Sequence, residues 1–269
     1  MREQDSTKRM ILRQHAGQHL HRAEWLERTG RWDEAIAELK NAVKLDPGAA
    51  EAYAALGHHY RRKGLLAKSA EAFRRAVALS DDYEDYFNLG HVLVDLGRYR
   101  EAEEAYNHCL KLRPDDLAVR YEIAYALFSS GRYTEALPIL EQLIAAHPED
   151  WEFAFLHASC RLGMGSYDLA EAELKSAIEV APDDEARTIL QEHLAMVMRY
   201  KEFADDSPVG VKDKLYMEYG AICLGSALDD GLKIERYKNY AFDYVHIART
   251  LLRLVAVCKG LVQVPSAIV

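Results

Sequence analysis

Histidines have the widest chemical repertoire in this sequence, since an imidazole ring can bind a metal or carry a proton near neutral pH. The chain has 11 of them, and His15, His19 and His21 lie close together, the first two at the four-residue spacing of one helical face. A zinc site needs three or four convergent ligands, and neither an HExxH sequence nor a cysteine pair accompanies this group. We therefore predict solvated histidines, no metal and no cofactor.

Nucleophilic and phosphate-binding patterns are also missing from the sequence. It contains no GxGxxG, GxxxxGKS/T or GxSxG motif. Adjacent carboxylates occur at Asp229 and Asp230 in LDDGL, although an Asp-Asp-Gly run is more typical of a turn. We therefore predict that the protein is not an enzyme. One alternative stays open, in which the C-terminal residues begin an enzyme-like domain and the rest of the chain recruits its substrate.

The composition is that of an ordinary soluble protein, with 49% hydrophobic and 29% charged residues among 269 and a net charge of −9. No apolar run reaches the roughly 18 residues of a membrane span, and the opening MREQDSTKRM lacks a secretory signal. The cysteines form no CxxC pair, which favours reduced thiols in a cytoplasmic protein: Cys109, Cys160, Cys223 and Cys258. The acidic balance argues against nucleic acid as the partner, although that alternative stays open.

The elements that position these side chains follow a repeat. Glycines recur at spacings of 34, 33, 34 and 34 residues: Gly30, Gly64, Gly97, Gly131 and Gly165. Prolines recur with a similar period: Pro47, Pro114, Pro148 and Pro182. A fixed period in this range indicates stacked supersecondary units. In each unit we expect a helix that ends at the glycine in a left-handed cap, a tight turn and a second helix.

Side chains at fixed positions of the units resemble a known repeat. With the glycine numbered 15, the units begin at Ala16, Ala50, Tyr83, Leu117 and Trp151. The second unit then has Tyr53, Leu56, Gly57 and Tyr60 at positions 4, 7, 8 and 11. This pattern resembles the tetratricopeptide repeat, W-x2-L-G-x2-Y followed by A-x3-F and P. The resemblance implies an all-α, right-handed superhelical solenoid of about five helical hairpins.

The repeats organise most of the chain. We expect an N-terminal extension over residues 1–15, five repeats over 16–184 and a capping helix over 185–200. In the fifth repeat His157 and Arg161 replace the apolar residues of positions 7 and 11, so that unit is expected to pack less tightly or to meet an unusual neighbour. Residues 201–269 are expected to form a C-terminal segment of mixed or uncertain structure, with an incomplete α/β domain as one interpretation. Within it, Phe242–Gly260 reads as an amphipathic helix.

One face of the first helices is left over after the core is assigned. Positions 4, 7, 8 and 11 point in one direction, and positions 5, 9 and 12 point toward the concave side of a stacked array. In the resembled family that side binds peptides. The predicted groove residues are the apolar and polar side chains at these positions: His58, Arg61, Phe87, His91, Tyr121, Tyr125, Phe128, Phe155 and Leu162. The competing interpretation is that these aromatic residues pack between neighbouring helices.

The lining indicates the kind of partner. Members of the resembled family that bind a C-terminal carboxylate hold it with Lys and Asn at positions 5 and 9, and that pair is not present here. An aromatic groove suits a protein or peptide with bulky apolar anchors, such as an amphipathic helix. In a further alternative the groove holds the protein's own C-terminal helix, in cis or from a second copy, through the apolar stripe Val245, Ala248, Leu252 and Val255.

Overall fold

The computed structural model describes residues 2–202 and 211–220, and within them every regular element is a helix. The helices are α1 Arg2–Arg28, α2 Trp32–Leu45, α3 Ala50–Arg62, α4 Leu66–Leu79, α5 Tyr83–Asp95, α6 Tyr99–Leu112, α7 Leu117–Ser129, α8 Tyr133–Ala146, α9 Trp151–Gly163, α10 Tyr167–Glu179, α11 Asp184–Glu202 and α12 Val211–Tyr219. The predicted all-α class is confirmed for this part of the chain. No helix in the described ranges is both long and apolar enough to cross a membrane.

The chain divides into two compact units, and the boundary falls inside α8. Unit 1 comprises residues 1–139 and unit 2 comprises residues 140–269. The C-terminal sequence features predicted above, Asp229, Asp230 and the helix Phe242–Gly260, lie outside the described residues.

The periodic glycines end the first helix of each repeat, as the sequence predicts. All five have φ between 69° and 76°, the left-handed region that costs glycine little. At Gly97 the backbone N–H bonds to the carbonyl of Val94, and the next N–H, of Arg98, bonds to the carbonyl of Leu93. Both distances are 2.8 Å. These two bonds form a Schellman cap, which satisfies carbonyls that the helix end leaves free.

Close packing within a hairpin explains the small residue at position 8. A Cβ atom on Gly57 would lie 2.7 Å from the ring of Phe73, which is fully buried in α4. Gly90 meets the buried ring of Tyr106 in the same way. A side chain at Gly57 or Gly90 would therefore separate the two helices. The repeat pattern of a small residue and a distant aromatic residue is thus a packing requirement.

The N-terminal end of unit 1 contains one continuous helix. Residues 2–15, expected as an extension before the repeats, are part of α1. The core of the first hairpin is made by small and aliphatic side chains of α1, α2 and α3, among them Ala23, Leu26, Ala35 and Leu39. Helix α1 also exposes large apolar side chains, with Met10 66%, Ile11 46% and Trp25 55% accessible.

In unit 2 a core of α9, α10 and α11 holds Ala158, Ala170, Leu174, Leu190 and Val197. Helix α11 includes the range predicted for a capping helix, residues 185–200, and it packs on α10. Helix α12 lies against α11 in turn. The guanidinium of Arg199 fixes this contact by donating to the backbone carbonyls of Met217 and Glu218, at 3.1 and 3.3 Å.

The fifth repeat accommodates its two unusual polar residues through carboxylates. His157 is buried, and its Nδ1 lies 2.9 Å from the carboxylate of Glu173 in α10. Arg161 donates to the other oxygen of Glu173 at 3.2 Å, and His157 and Arg161 also face Glu141, at 3.8 and 3.9 Å. The Nε2 atom of His157 has no hydrogen-bond partner within the described residues. The hairpin therefore replaces an apolar contact with a polar cluster.

Candidate functional site

The predicted groove residues of unit 1 lie on α3, α5 and α7, and none of them is fully buried. Tyr125 is 39% exposed and His58 is also exposed. The other five are half-buried: Arg61, Phe87, His91, Tyr121 and Phe128. On the opposite side of α7 the core stripe of Ile123, Ala124 and Leu127 is buried. These positions therefore form a surface distinct from the core of their own hairpins.

In the third repeat two predicted residues rest on the buried hairpin. The Phe87 and His91 rings meet edge to face with centroids 4.5 Å apart, and each also contacts Tyr106, at 6.0 and 5.8 Å. Such edge-to-face pairs are the favoured geometry of aromatic side chains. Packing thus holds Phe87 and His91 in place and leaves only part of each ring accessible.

At position 9 of the second repeat a histidine again packs against a buried aromatic ring. The His58 ring stands at 90° to Phe73 with centroids 5.0 Å apart. The Phe73 ring removes water from one side of the otherwise exposed His58, and this desolvation, followed by the neighbouring His59 and Arg61, lowers the pKa of His58. Burial, followed by Arg61, likewise lowers the pKa of His91. Both imidazoles are therefore neutral at physiological pH and can donate or accept one hydrogen bond.

Sequence reasoning missed one polar residue of this surface, Glu122 of α7. Its carboxylate accepts a hydrogen bond from the Tyr106 hydroxyl at 3.4 Å and lies 3.7 Å from Nδ1 of His91. Burial raises the pKa of the Glu122 carboxyl above its usual value. Glu122 is at position 6, which a helical wheel places about 60° from position 9, so an inspection of one further position would have found it.

The aromatic residues of α7 form a connected group at its C-terminal end. Tyr125 and Phe128 have ring centroids 6.4 Å apart, and Phe128 is 5.7 Å from Tyr133 at the start of α8. Arg61 lies on α3 of the same unit and pairs with Asp95 at 3.4 Å. The surface of unit 1 therefore combines exposed aromatic edges with polar groups that already have partners.

In unit 2 the two predicted residues, Phe155 and Leu162, are half-buried on α9. Phe155 lines a cavity of about 540 Å³ between α9, α11 and α12, which we call the α11 cleft. Its remaining lining comes from α11 and the end of α12: Ile189, Glu192, His193, Ala195, Met196, Arg199, Glu218 and Tyr219. Leu162 does not line it. The cleft places residues of three helices around an apolar floor with charged edges.

A serine and a histidine meet at the base of the α11 cleft. The Nε2 atom of His193 lies 3.0 Å from Ser159 Oγ, and the Ser159 hydroxyl donates to the Phe155 carbonyl at 2.7 Å. The histidine therefore donates its Nε2 hydrogen to the serine oxygen, the reverse of what a general base requires. Burial lowers the pKa of His193 to about 4. The pair orients the ring of His193 against Phe155, with centroids 4.5 Å apart.

No group of three or more histidine, cysteine, aspartate or glutamate residues capable of holding a metal occurs in the described ranges. The chemistry of both surfaces consists of aromatic contact, hydrogen bonding and charge pairing.

Comparison with known proteins shows the same repeats. Family profiles described as tetratricopeptide repeat match residues 87–150, 127–194 and 50–83, and one described as TPR repeat matches residues 28–64. The chain is 30% identical over 84 residues to the general transcriptional corepressor ssn6 of Schizosaccharomyces pombe and 31% identical over 88 residues to superkiller protein 3 of the same organism. These alignments cover 30% and 32% of this chain but only 8% and 6% of those proteins.

Solved structures agree in fold. A MamA protein superposes with a TM-score of 0.56 at 23% identity, covering 62% of this chain and 91% of that one. YrrB, described as a TPR protein with an unusual peptide-binding site, has a TM-score of 0.56 at 22% identity over 64% of this chain and 90% of its own. A tetratricopeptide repeat protein from Parabacteroides merdae has a TM-score of 0.54 at 18% identity, with coverage of 70% and 74%. With its glycine-capped helical hairpins and these matching profiles, the chain belongs to the tetratricopeptide-repeat family.

Proposed function

We propose that this protein is a non-catalytic interaction scaffold that binds a peptide or an amphipathic helix of a protein partner on the aromatic surface of its first helices. The proposal rests on the contrast between the buried and the exposed side of α7. Ile123, Ala124 and Leu127 are at most 6% exposed, while Tyr125, on the other side, is 39% exposed beside Phe128. An apolar group on a face that the core does not need is typical of an interaction site.

The partner's chemistry follows from the lining. Aromatic edges at Phe87, Tyr125 and Phe128 favour bulky apolar anchors, which are the residues that dominate binding energy at protein interfaces. His58 and Arg61 lie on α3 of the same unit and can hydrogen-bond polar groups of the ligand. Peptide binding by YrrB, as its description states, is a precedent in this fold.

Several finer expectations belong to this proposal. The net charge of −9 supports a protein rather than a nucleic acid as the partner. The buried free thiols of Cys109 and Cys160 are compatible with a cytoplasmic location. The absence of catalysis is supported by the Ser159–His193 geometry, in which the histidine is the donor.

The test compares the full chain with the double variant Tyr125→Ser, Phe128→Ser in capture from a native lysate, after circular dichroism shows equal helix content. A captured protein is then purified, and its binding to each variant is measured by isothermal titration calorimetry. We expect an affinity loss of about tenfold or more, since two aromatic anchors are removed.

The matched control is Leu79→Ser, Leu112→Ser, which removes exposed apolar side chains at the ends of α4 and α6. This control should bind as the unchanged protein does. If the Tyr125→Ser, Phe128→Ser variant binds with the same affinity as the unchanged protein, the aromatic residues of α7 are packing residues and the proposal is overturned.

A further inference from the structure

The α11 cleft of unit 2 presents apolar side chains at helical spacing. Ile189 and Met196 line it from α11, seven residues apart, so they lie two turns from each other on one stripe of that helix. Phe155 of α9 adds an aromatic surface beside them. Such a row spans about 10 Å, the length over which a bound helix presents anchors at positions i, i+3 and i+7.

The chain itself leads into this cleft. Glu218 and Tyr219, the last residues of α12, form one wall of the cavity. Gly220 follows with a φ of 67°, a left-handed turn that ends the helix. Residues 221–269 therefore start at the cleft, and the helix predicted from the sequence over residues 242–259 is separated from it by residues 221–241.

The charges of the cleft complement that segment. Glu192 and Glu218 stand at its edges and have no ion-pair partner in the part of the chain that the structure describes. Arg199 is occupied by the carbonyls of Met217 and Glu218. The predicted helix carries Arg249 and Arg253 four residues apart, beside its apolar stripe.

We propose that residues 242–259 dock as a helix in the α11 cleft of the same molecule, with Val245, Ala248, Leu252 and Val255 on Phe155, Ile189 and Met196. Docking in cis is favoured because a short tether holds the segment at an effective concentration in the millimolar range. The inference concerns unit 2 alone and does not rest on the function proposed for the aromatic residues of α7.

The first test is photo-crosslinking in the full chain. The photoreactive residue benzoyl-phenylalanine replaces Met196 in one protein and Met198, which is 49% exposed and does not line the cleft, in the control. Each protein is prepared with ¹⁴N and with ¹⁵N, mixed, irradiated and mapped by mass spectrometry. We expect position 196 to crosslink to residues 242–259 of the same isotopic copy about tenfold more than position 198 does.

Crosslinks between the two isotopic copies would show self-association and would overturn docking within one molecule. Crosslinks from position 196 to other segments, or none, would overturn the proposal. A second measurement leaves the cleft unchanged and compares hydrogen exchange of residues 186–200 in Leu252→Glu and Leu254→Glu.

A charge at Leu252 lies on the proposed contact stripe, whereas Leu254 is about 160° from Leu252 around the helix. Only Leu252→Glu should accelerate exchange in α11, by several-fold. Equal exchange in both variants and in the unchanged chain would reject the docked state. Partner binding through Tyr125 and Phe128 is read in a separate assay, so either proposal can fail alone.

Discussion

The Nδ1 atom of His157 lies 2.9 Å from the carboxylate of Glu173, in a hairpin position that the second, third and fourth repeats fill with Leu56, Leu89 and Ile123. Glu173 also accepts a hydrogen bond from Arg161, so a single carboxylate of α10 holds two side chains of α9. The fifth repeat therefore depends on one acidic residue of α10 for the packing of α9.

The first prediction concerns removal of the Glu173 carboxylate. Glu173→Ala leaves His157 buried without its partner, and an unsatisfied buried polar group costs about 1–3 kcal/mol. We expect the free energy of unfolding, measured by urea titration and circular dichroism, to fall by that amount. Glu179→Ala, an exposed glutamate at the end of the same helix, should change it by less than about 0.5 kcal/mol. Equal effects of the two substitutions would contradict a structural role for the cluster.

The second prediction concerns the close approach inside the hairpins. Gly57→Ala places a methyl group 2.7 Å from the Phe73 ring, and the buried ring cannot move away. We expect the free energy of unfolding to fall by about 1–3 kcal/mol, because the added methyl group overpacks the core. Gly17, inside α1, has no atom within 4 Å of an added Cβ. Gly17→Ala should therefore stabilise the protein by about 0.5–1 kcal/mol through helix propensity, and the opposite signs test the packing argument.

The third prediction is a pH dependence centred on His193. Burial lowers the pKa of His193 to about 4, whereas an unfolded histidine titrates near 6.5. Between these values the unfolded chain binds more protons, so stability falls as the pH falls through this window. His193→Gln should reduce the loss of stability between about pH 7 and pH 4.5 by roughly 2 kcal/mol.

Urea titrations at several pH values give the slope of the free energy of unfolding against pH. The control is His15→Gln, which changes an exposed histidine of α1 and should leave the slope unchanged. A slope in His193→Gln equal to that of the unchanged protein would show that the His193 ring is not held neutral by the fold.

The fourth prediction concerns Glu122, whose pKa burial raises. A folded state that holds its proton more tightly loses stability as the pH rises through the window between the ordinary and the raised value. Glu122→Gln should therefore raise the free energy of unfolding at pH 7, by about 1 kcal/mol or less because the site is partly solvated, and have little effect near pH 4. Glu104→Gln, on the exposed side of α6, should have no effect at either pH. An equal increase in the free energy of unfolding at both pH values would point to a cause other than ionisation of Glu122.

The helical hairpins could be predicted because their determinants are local and periodic. A glycine at C′ and a small residue opposite an aromatic residue recur at fixed spacing, and each has a direct steric reason, seen at Gly97 and at Gly57. The division of α7 into a buried and an accessible face was predictable for the same reason, since 100° per residue assigns each position a direction.

The polar chemistry of the surfaces was not predictable in this way. Glu122 meets His91 and Tyr106 across three helices, and His193 reaches Ser159 across 34 residues. Pairings between helices depend on how far one helix is shifted and rotated against the next, which no periodicity within a single helix determines. The sequence alone therefore determined the repeat, its turns and the faces of its helices. Only the tertiary structure decided which charges are buried together, because burial and pairing are properties of packed neighbours distant along the chain.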